Sequence, residues 1–205
     1  MAGRPKSFDL NEALNAFLQV FWTKGYNHTS VDDLQLAAGI KRGSFYASFG
    51  SKDDVFASVL NTYWDRATES ILRNLECSKD PREAVARFLR YAGNFMTENT
   101  PRGCLLLSSA ADLSCTASRD GELVREKMNA LEARIAAAIP EETHPANPKL
   151  AGRDQASALT SFVMTTLLGL NAMARSGQSA DRIRQAAEYA AESVLNSGVS
   201  QQSTV

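Results

Sequence analysis

The stretch GIKRGSFYASFGSKDD, residues 39–54, places two adjacent cations and three aromatic side chains on a segment of helical length. Phe45 and Phe49 are four positions apart, so they share one face of a helix. Lys41 and Arg42 lie at the N-terminal end of the same segment. The pattern predicts a short helix, from about Arg42 to Phe49, that buries one face and presents the other to a partner.

The residues on either side of this stretch predict two more helices around it. Ser30 is a natural N-cap for a preceding helix, and Gly39 can adopt the positive φ of a tight turn after it. Ser51 is a natural N-cap for a long following helix, and an amphipathic segment over 10–21 precedes all three. Two short helices joined by a turn with glycine are typical of a helix-turn-helix, whose second helix enters the major groove of DNA.

The charge distribution agrees with a DNA-binding module at the N-terminus. The chain has 205 residues and a formal net charge of −1, which argues against a wholly basic nucleic-acid binder. Residues 1–52 carry six lysine and arginine side chains against four acidic ones, whereas the remainder is net acidic. We therefore expect a basic N-terminal module on a more acidic body.

Helical periodicity continues along the rest of the chain, and strand patterns are nearly absent. The sequence predicts an all-α protein of about nine helices. We assign residues 1–52 to a helix-turn-helix DNA-binding domain, 53–196 to a helical effector-binding and dimerisation domain, and 197–205 to a disordered tail.

Features of export, membrane insertion and catalysis are missing from the pattern. We recognise no signal peptide and expect no membrane partner, since we find no apolar run that approaches the length needed to span a bilayer. Three cysteines without metal-type spacing favour a reducing cytoplasm. No phosphate loop, paired metal ligands or nucleophile motif supports the alternative of a small α-helical enzyme, so we expect no cofactor and no metal at the isolated His28 and His144.

The longer stretch HTSVDDLQLAAGIKRGSFYASFGSKDDVF, residues 28–56, resembles the DNA-binding signature of the tetracycline-repressor (TetR) family. The resemblance covers roughly residues 3–65. It implies contacts to DNA phosphates, base edges or grooves from one set of residues: Arg4, Thr29, Ser30, Lys41, Arg42, Ser44, Tyr46 and Lys52.

Within that set, the resemblance implies phosphate contacts from Thr29, Tyr46 and Lys52, and a basic arm that includes Arg4. Lys41 and Arg42 are placed to bind base edges, Arg42 by a bidentate contact to guanine. Taken singly, the two cations would more often be a solvated surface pair, and Thr29 and Ser30 would be helix caps. Family members often carry a bulky pair where this chain has Ala47 and Ser48, so we expect fewer base contacts from the far end of the helix.

For the body, the resemblance implies a homodimer and a pocket for an unidentified small-molecule effector that releases a repressor from a near-palindromic operator. Apolar residues over 157–173 and a stripe of small residues over 186–195 favour dimerisation through the last two helices, against the alternative of intrachain core. The long helix after Ser51 would connect pocket and DNA module. The candidate pocket residues are Tyr63, Trp64, Phe88, Tyr91, Phe95, Met96, Leu105 and Met164.

Cys104 supports an alternative in which a thiol triggers the regulator. It follows a Pro/Gly break beside Arg102, and at a helix N-terminus the dipole would lower the pKa of its thiol. Some TetR members with a similar Gly-Cys-Leu-Leu segment sense oxidants or electrophiles. The competing interpretation is a small buried hydrophobe, the usual state of a free cysteine.

Overall fold

A computed structural model describes residues 8–76, 78–98, 102–113, 115–139 and 152–196. These residues form ten α-helices and one π-helical turn, and they include no strand, which confirms the all-α prediction. The helices are α1 (Leu10–Lys24), α2 (Val31–Ala38), α3 (Arg42–Phe49), α4 (Lys52–Tyr63), α5 (Glu69–Glu76), α6 (Pro81–Glu98), α7 (Leu105–Leu113), α8 (Arg119–Ala137), α9 (Gly152–Arg175) and α10 (Ala180–Asn196).

Local capping explains where the N-terminal helices begin and end. The Asp9 carboxylate accepts hydrogen bonds from the backbone N–H groups of Asn11 and Glu12 at the start of α1. Ser30 and Asp33 form a reciprocal capping box at the start of α2, and Gly39 ends it in the left-handed conformation with φ of 63°. Helix α3 begins and ends at the predicted residues.

Aromatic packing holds α3 against the other helices of the N-terminal unit (α1–α4). The ring of Phe17 on α1 meets Phe45 edge-on at 5.8 Å between centroids and Phe49 at 5.0 Å. On the same helix, Phe21 packs against Phe56 of α4 at 5.2 Å. Because α1 contacts both α3 and α4, the position of α3 depends on the position of α1.

The predicted long helix after Ser51 is interrupted by a π-helical turn at Trp64–Thr68, which separates α4 from α5. This interruption accounts for the difference between about nine predicted helices and the ten observed. Such single turns are rare in helices and are frequent at functional sites. Helix α6 then begins with Pro81 at its first position, where the missing N–H costs no hydrogen bond.

In the body (α5–α10), α6 packs closely against α10, α9 lies beside both, and α7 and α8 also contact α9. A Cβ at Gly93 of α6 would collide with that of Ala187 on α10, so the absence of a side chain permits the close approach. Within α9, Ser157–Arg175 is long and apolar enough by length and composition to cross a membrane, with a mean hydropathy of 1.3. The expectation that no run approaches this length is therefore wrong, although core helices of other proteins satisfy the same test.

Several sequence predictions fall outside the described residues. They concern the basic arm with Arg4, the loop with His144, and the tail over 197–205.

Candidate nucleic-acid interface and ligand cavity

Helix α3 has one buried and one exposed face, as predicted. Phe45 is fully buried, whereas Lys41 and Arg42 are exposed, Ser44 is half-buried and Tyr46 is 45% exposed. The Arg42 guanidinium carbon lies 5.7 Å from the centroid of the Tyr46 ring. The exposed face thus presents two cations and a phenol, groups that suit phosphates and the acceptor edges of guanine.

Thr29 and Ser30 support the start of α2 in this conformation. Thr29 is buried, and its hydroxyl donates to the Gly25 carbonyl at 2.7 Å. Ser30 is exposed, and its hydroxyl is engaged in the capping box. Ser30 is therefore the helix cap expected as the alternative to phosphate binding, whereas Thr29 bonds within the α1–α2 turn. The phosphate contacts of both residues stay predictions.

Lys52 is turned toward the protein rather than away from it. Its ammonium donates to the carbonyls of Tyr26 at 3.1 Å and Thr29 at 3.2 Å, and it lies 4.0 Å from the centroid of the Tyr26 ring. The side chain therefore fastens the α1–α2 turn to the start of α4. An ammonium has three N–H donors, so a phosphate contact is compatible with these two bonds and stays a prediction.

An acidic cluster lies between the N-terminal unit and the body. The Tyr26 hydroxyl donates to Asp53 at 2.6 Å, and Arg119 at the start of α8 pairs with Asp54 at 2.8 Å. Asp120 is only 2% exposed, and its Oδ1 has no hydrogen-bond partner within the described part of the chain. Burial raises the pKa of the Asp120 carboxyl, and the Tyr26 hydroxyl acts in the opposite direction. The sequence did not predict this cluster, since an acid in the first turn of a helix is ordinarily exposed.

A small apolar cavity of about 20 Å³ lies in the body. Its walls come from α6, from the start of α7, and from α8 and α9. The lining residues are Phe88, Ala92, Phe95, Met96, Cys104, Leu106, Leu107, Leu131 and Leu167. Among the residues that the structure describes, no charged side chain lines it, and its volume suffices for about one water-sized group.

Three of the predicted pocket residues, Phe88, Phe95 and Met96, lie in the cavity wall. The other predicted pocket residues are not among its lining: Tyr63, Trp64, Tyr91, Leu105 and Met164. Helical periodicity marks a residue as apolar, but it does not distinguish a cavity wall from filled core. Leu106 and Leu107 line the cavity but were not predicted as pocket residues. They belong to the apolar run CLLL that begins at Cys104, which is the feature of the sequence that could have identified them.

Cys104 lies in this wall, directly before α7. Its backbone N–H donates to the Asn171 side-chain oxygen at 2.7 Å, and its Sγ accepts from the Tyr63 hydroxyl at 3.3 Å. Burial raises the pKa of the thiol, although the Tyr63 hydroxyl and backbone N–H groups of α7 act to lower it. The expectation of a lowered pKa is wrong, because desolvation outweighs the start of the helix.

Known regulatory proteins of bacteria are similar to this chain in sequence. Residues 13–59 match the family model described as bacterial regulatory proteins, tetR family. The HTH-type transcriptional repressor ComR of Escherichia coli (strain K12) is 28% identical over 187 residues, which cover 90% of this chain and 88% of ComR. The segment that matches the family model, residues 13–59, contains α2, α3 and the exposed face of α3.

Solved structures are similar to this chain along nearly its whole length. A cysteine mutant of the TetR family transcriptional regulator CifR, complexed with 26bp double-strand operator DNA, is 30% identical with a TM-score of 0.72. The match covers 92% of this chain and 98% of CifR. A TetR transcriptional regulator from Chloroflexus aurantiacus has a TM-score of 0.75 at 20% identity, which supports the fold alone.

Proposed function

Because this chain belongs to the TetR family of DNA-binding transcriptional regulators, we propose that it is a repressor whose dimer leaves a near-palindromic operator when a small effector enters the body. The observation that carries the proposal is the division of α3, with Phe45 buried and Lys41, Arg42 and Tyr46 exposed. It acts on DNA in the cytoplasm and catalyses no reaction.

In this proposal α3 is the recognition helix. Arg42 binds a guanine edge, and Lys41 and Ser44 contact neighbouring bases or phosphates. Tyr46 and Lys52 bind the DNA backbone and set the position of α3 in the groove. The relative CifR, which is described in complex with operator DNA, supports this assignment.

The dimer forms through α9 and α10. Phe162 and Leu168 of α9 are 41% and 42% exposed, and Tyr189 of α10 is 76% exposed. Only 39% of the apolar stretch Ser157–Arg175 is buried within the chain. A second copy would cover this surface and, by two-fold symmetry, bring two α3 helices to successive major grooves.

The effector is an uncharged, largely apolar molecule. The described lining residues of the cavity carry no charge, and burying an ion there without a partner would be costly. The present volume of about 20 Å³ is much smaller than a typical ligand site, so the walls must separate when the effector binds. Binding of this kind shifts the protein toward a state with lower operator affinity.

The same geometry argues against the alternative in which the Cys104 thiol triggers release of DNA. The raised pKa keeps Cys104 protonated at neutral pH, and the thiolate is the reactive form. Replacing Cys104 with Ser and titrating operator release against hydrogen peroxide separates the two mechanisms. We expect the variant to release DNA as the parent does; a variant that has lost its oxidant response would establish the thiol mechanism.

Fluorescence anisotropy with a DNA duplex selected in vitro by the parent protein tests the proposal. Arg42→Ala should weaken binding by about 1–3 kcal/mol if Arg42 binds a base. Arg87→Ala, which removes an exposed arginine of the body, is the matched control and should leave the affinity unchanged. Equal affinities for the two variants would remove Arg42 from the recognition set.

A further inference from the structure

The turn at Arg102–Cys104 (the 102–104 turn) joins the cavity to the N-terminal unit. Cys104 lines the cavity, and the adjacent Gly103 carbonyl accepts a hydrogen bond from the Trp22 indole Nε1 of α1 at 3.0 Å. The Arg102 guanidinium carbon lies 4.8 Å from the centroid of the Trp22 ring and the guanidinium donates to Gln19. One turn of chain thus contacts both the candidate ligand site and the helix that supports α3.

The other side of this turn is fixed by α9. Gly103 has φ of 64°, and a Cβ there would collide with the side-chain oxygen of Asn171. That oxygen accepts from the Cys104 N–H, and the Asn171 amide donates to Ser108 at 3.3 Å. Asn171 is buried, so its polar groups hold the turn in one place relative to α9.

Trp22 is held at a second point and contacts α4 as well. Arg175, at the end of α9, donates to the Trp22 carbonyl at 3.2 Å. The Trp22 ring meets Tyr63 of α4 edge-on at 5.3 Å, and the Tyr63 hydroxyl donates to Cys104 Sγ. Separation of the cavity walls at Cys104 would therefore displace Trp22 and with it α1.

We propose that the 102–104 turn transmits occupancy of the cavity to α3, with the Trp22 indole N–H as the group that couples them. Phe17, on the same helix as Trp22, packs against Phe45 and Phe49 of α3, so a displaced α1 moves the recognition helix. Trp22 is a positioning residue that touches neither DNA nor effector. The inference rests on the proposed function, and it adds α1 to the predicted route through α4.

A double-mutant cycle tests this coupling without knowledge of the effector. Ala92→Leu places extra volume in the cavity and so imitates an occupant that separates its walls. Trp22→Phe keeps a ring against Tyr63 but removes the N–H donor to Gly103. Trp64→Phe, at the chain's second tryptophan, is the matched control because it makes the same change of ring at a site beside Lys127 and Arg134 of α8.

Operator affinity is measured with the selected duplex in each background. We expect Ala92→Leu to weaken binding by roughly 5–150-fold in the parent and in Trp64→Phe. In the Trp22→Phe background, Ala92→Leu should leave the operator affinity unchanged. Circular dichroism establishes that each variant is folded, and Ala92→Val and Trp22→Tyr replace any variant that is not.

The remaining outcomes separate this inference from the proposed function. Equal weakening in all three backgrounds would overturn the role of Trp22 and leave effector-controlled release intact. Unchanged affinity for a folded Ala92→Leu protein in the parent background would contradict effector-controlled release, and the inference would fail with it.

Discussion

Lys52 is predicted to contribute to the stability of the free protein, and Lys52→Ala measures that contribution. The substitution removes two hydrogen bonds from a charged donor and a cation that lies 4.0 Å from the Tyr26 ring centroid. Hydrogen bonds to charged groups contribute about 1.5–3 kcal/mol and exposed cation–π pairs about 0.5–1 kcal/mol. Lys52 is half-buried, so water can replace part of these interactions, and we expect Lys52→Ala to lower the free energy of unfolding by about 2 kcal/mol.

For a chain of 205 residues, that loss corresponds to a melting temperature lower by about 4–8 °C, measured by circular dichroism or calorimetry. Lys41→Ala is the matched control because it removes the same charge from an exposed side chain of the same unit. Its unfolding free energy should change by no more than about 0.5 kcal/mol. Equal melting temperatures for the two variants would refute the structural role of Lys52. The salt dependence of operator binding tests its separate phosphate role, because each lost contact lowers the slope by about 0.9.

Three further predictions concern the core, the acidic cluster and the dimer. Phe45→Ala should lower the unfolding free energy by about 3–5 kcal/mol and abolish operator binding, because a fully buried ring between α1 and α3 is lost; urea unfolding checks this, and a stability like the parent's would contradict it. Asp120 has a raised pKa, so the folded state binds more protons than the unfolded state, and the unfolding free energy of the parent should fall as pH rises from about 4 through that pKa. Asp120→Asn should remove this fall. Parallel curves of unfolding free energy against pH for the parent and the variant would contradict the assignment. Phe162→Glu should produce monomers in sedimentation, since it puts a charge on the exposed apolar face of α9; an unchanged dimer would exclude that face.

Much of the N-terminal unit could be predicted because its signals are local. Caps at Ser30 and Ser51, the positive φ of Gly39, and the four-residue spacing of Phe45 and Phe49 each act within one or two turns of chain. Local signals of this kind are present in the sequence whatever the rest of the fold does. The bounds of α3 followed from them directly.

The parts that could not be predicted depend on contacts between distant segments. The cavity lies where four segments of the body meet, so periodicity identified Phe88, Phe95 and Met96 but not Leu131 or Leu167. The π-helical turn likewise has no local signal of its own.

Lys52 and Asp120 show the same limit for charged residues. A flexible four-carbon stem lets the Lys52 ammonium reach either solvent or the carbonyls of the α1–α2 turn, and the packing of α1 against α4 decides between them. Asp120, in the first turn of α8, is buried where that helix meets Tyr26 of the α1–α2 turn. Cys104 is a similar case, since burial by the surrounding helices determines its pKa.

The central claim is that a dimer of this chain recognises DNA through α3. Selection of binding sites from a random duplex library by the full-length protein, followed by sequencing, tests it most directly. We predict an enriched inverted repeat whose half-sites lie about one helical turn, or a multiple of it, apart. Arg42→Ala should relax the preference at symmetric positions within each half-site. Enrichment of no sequence, or of the same sequence with the same preference by Arg42→Ala, would contradict the claim.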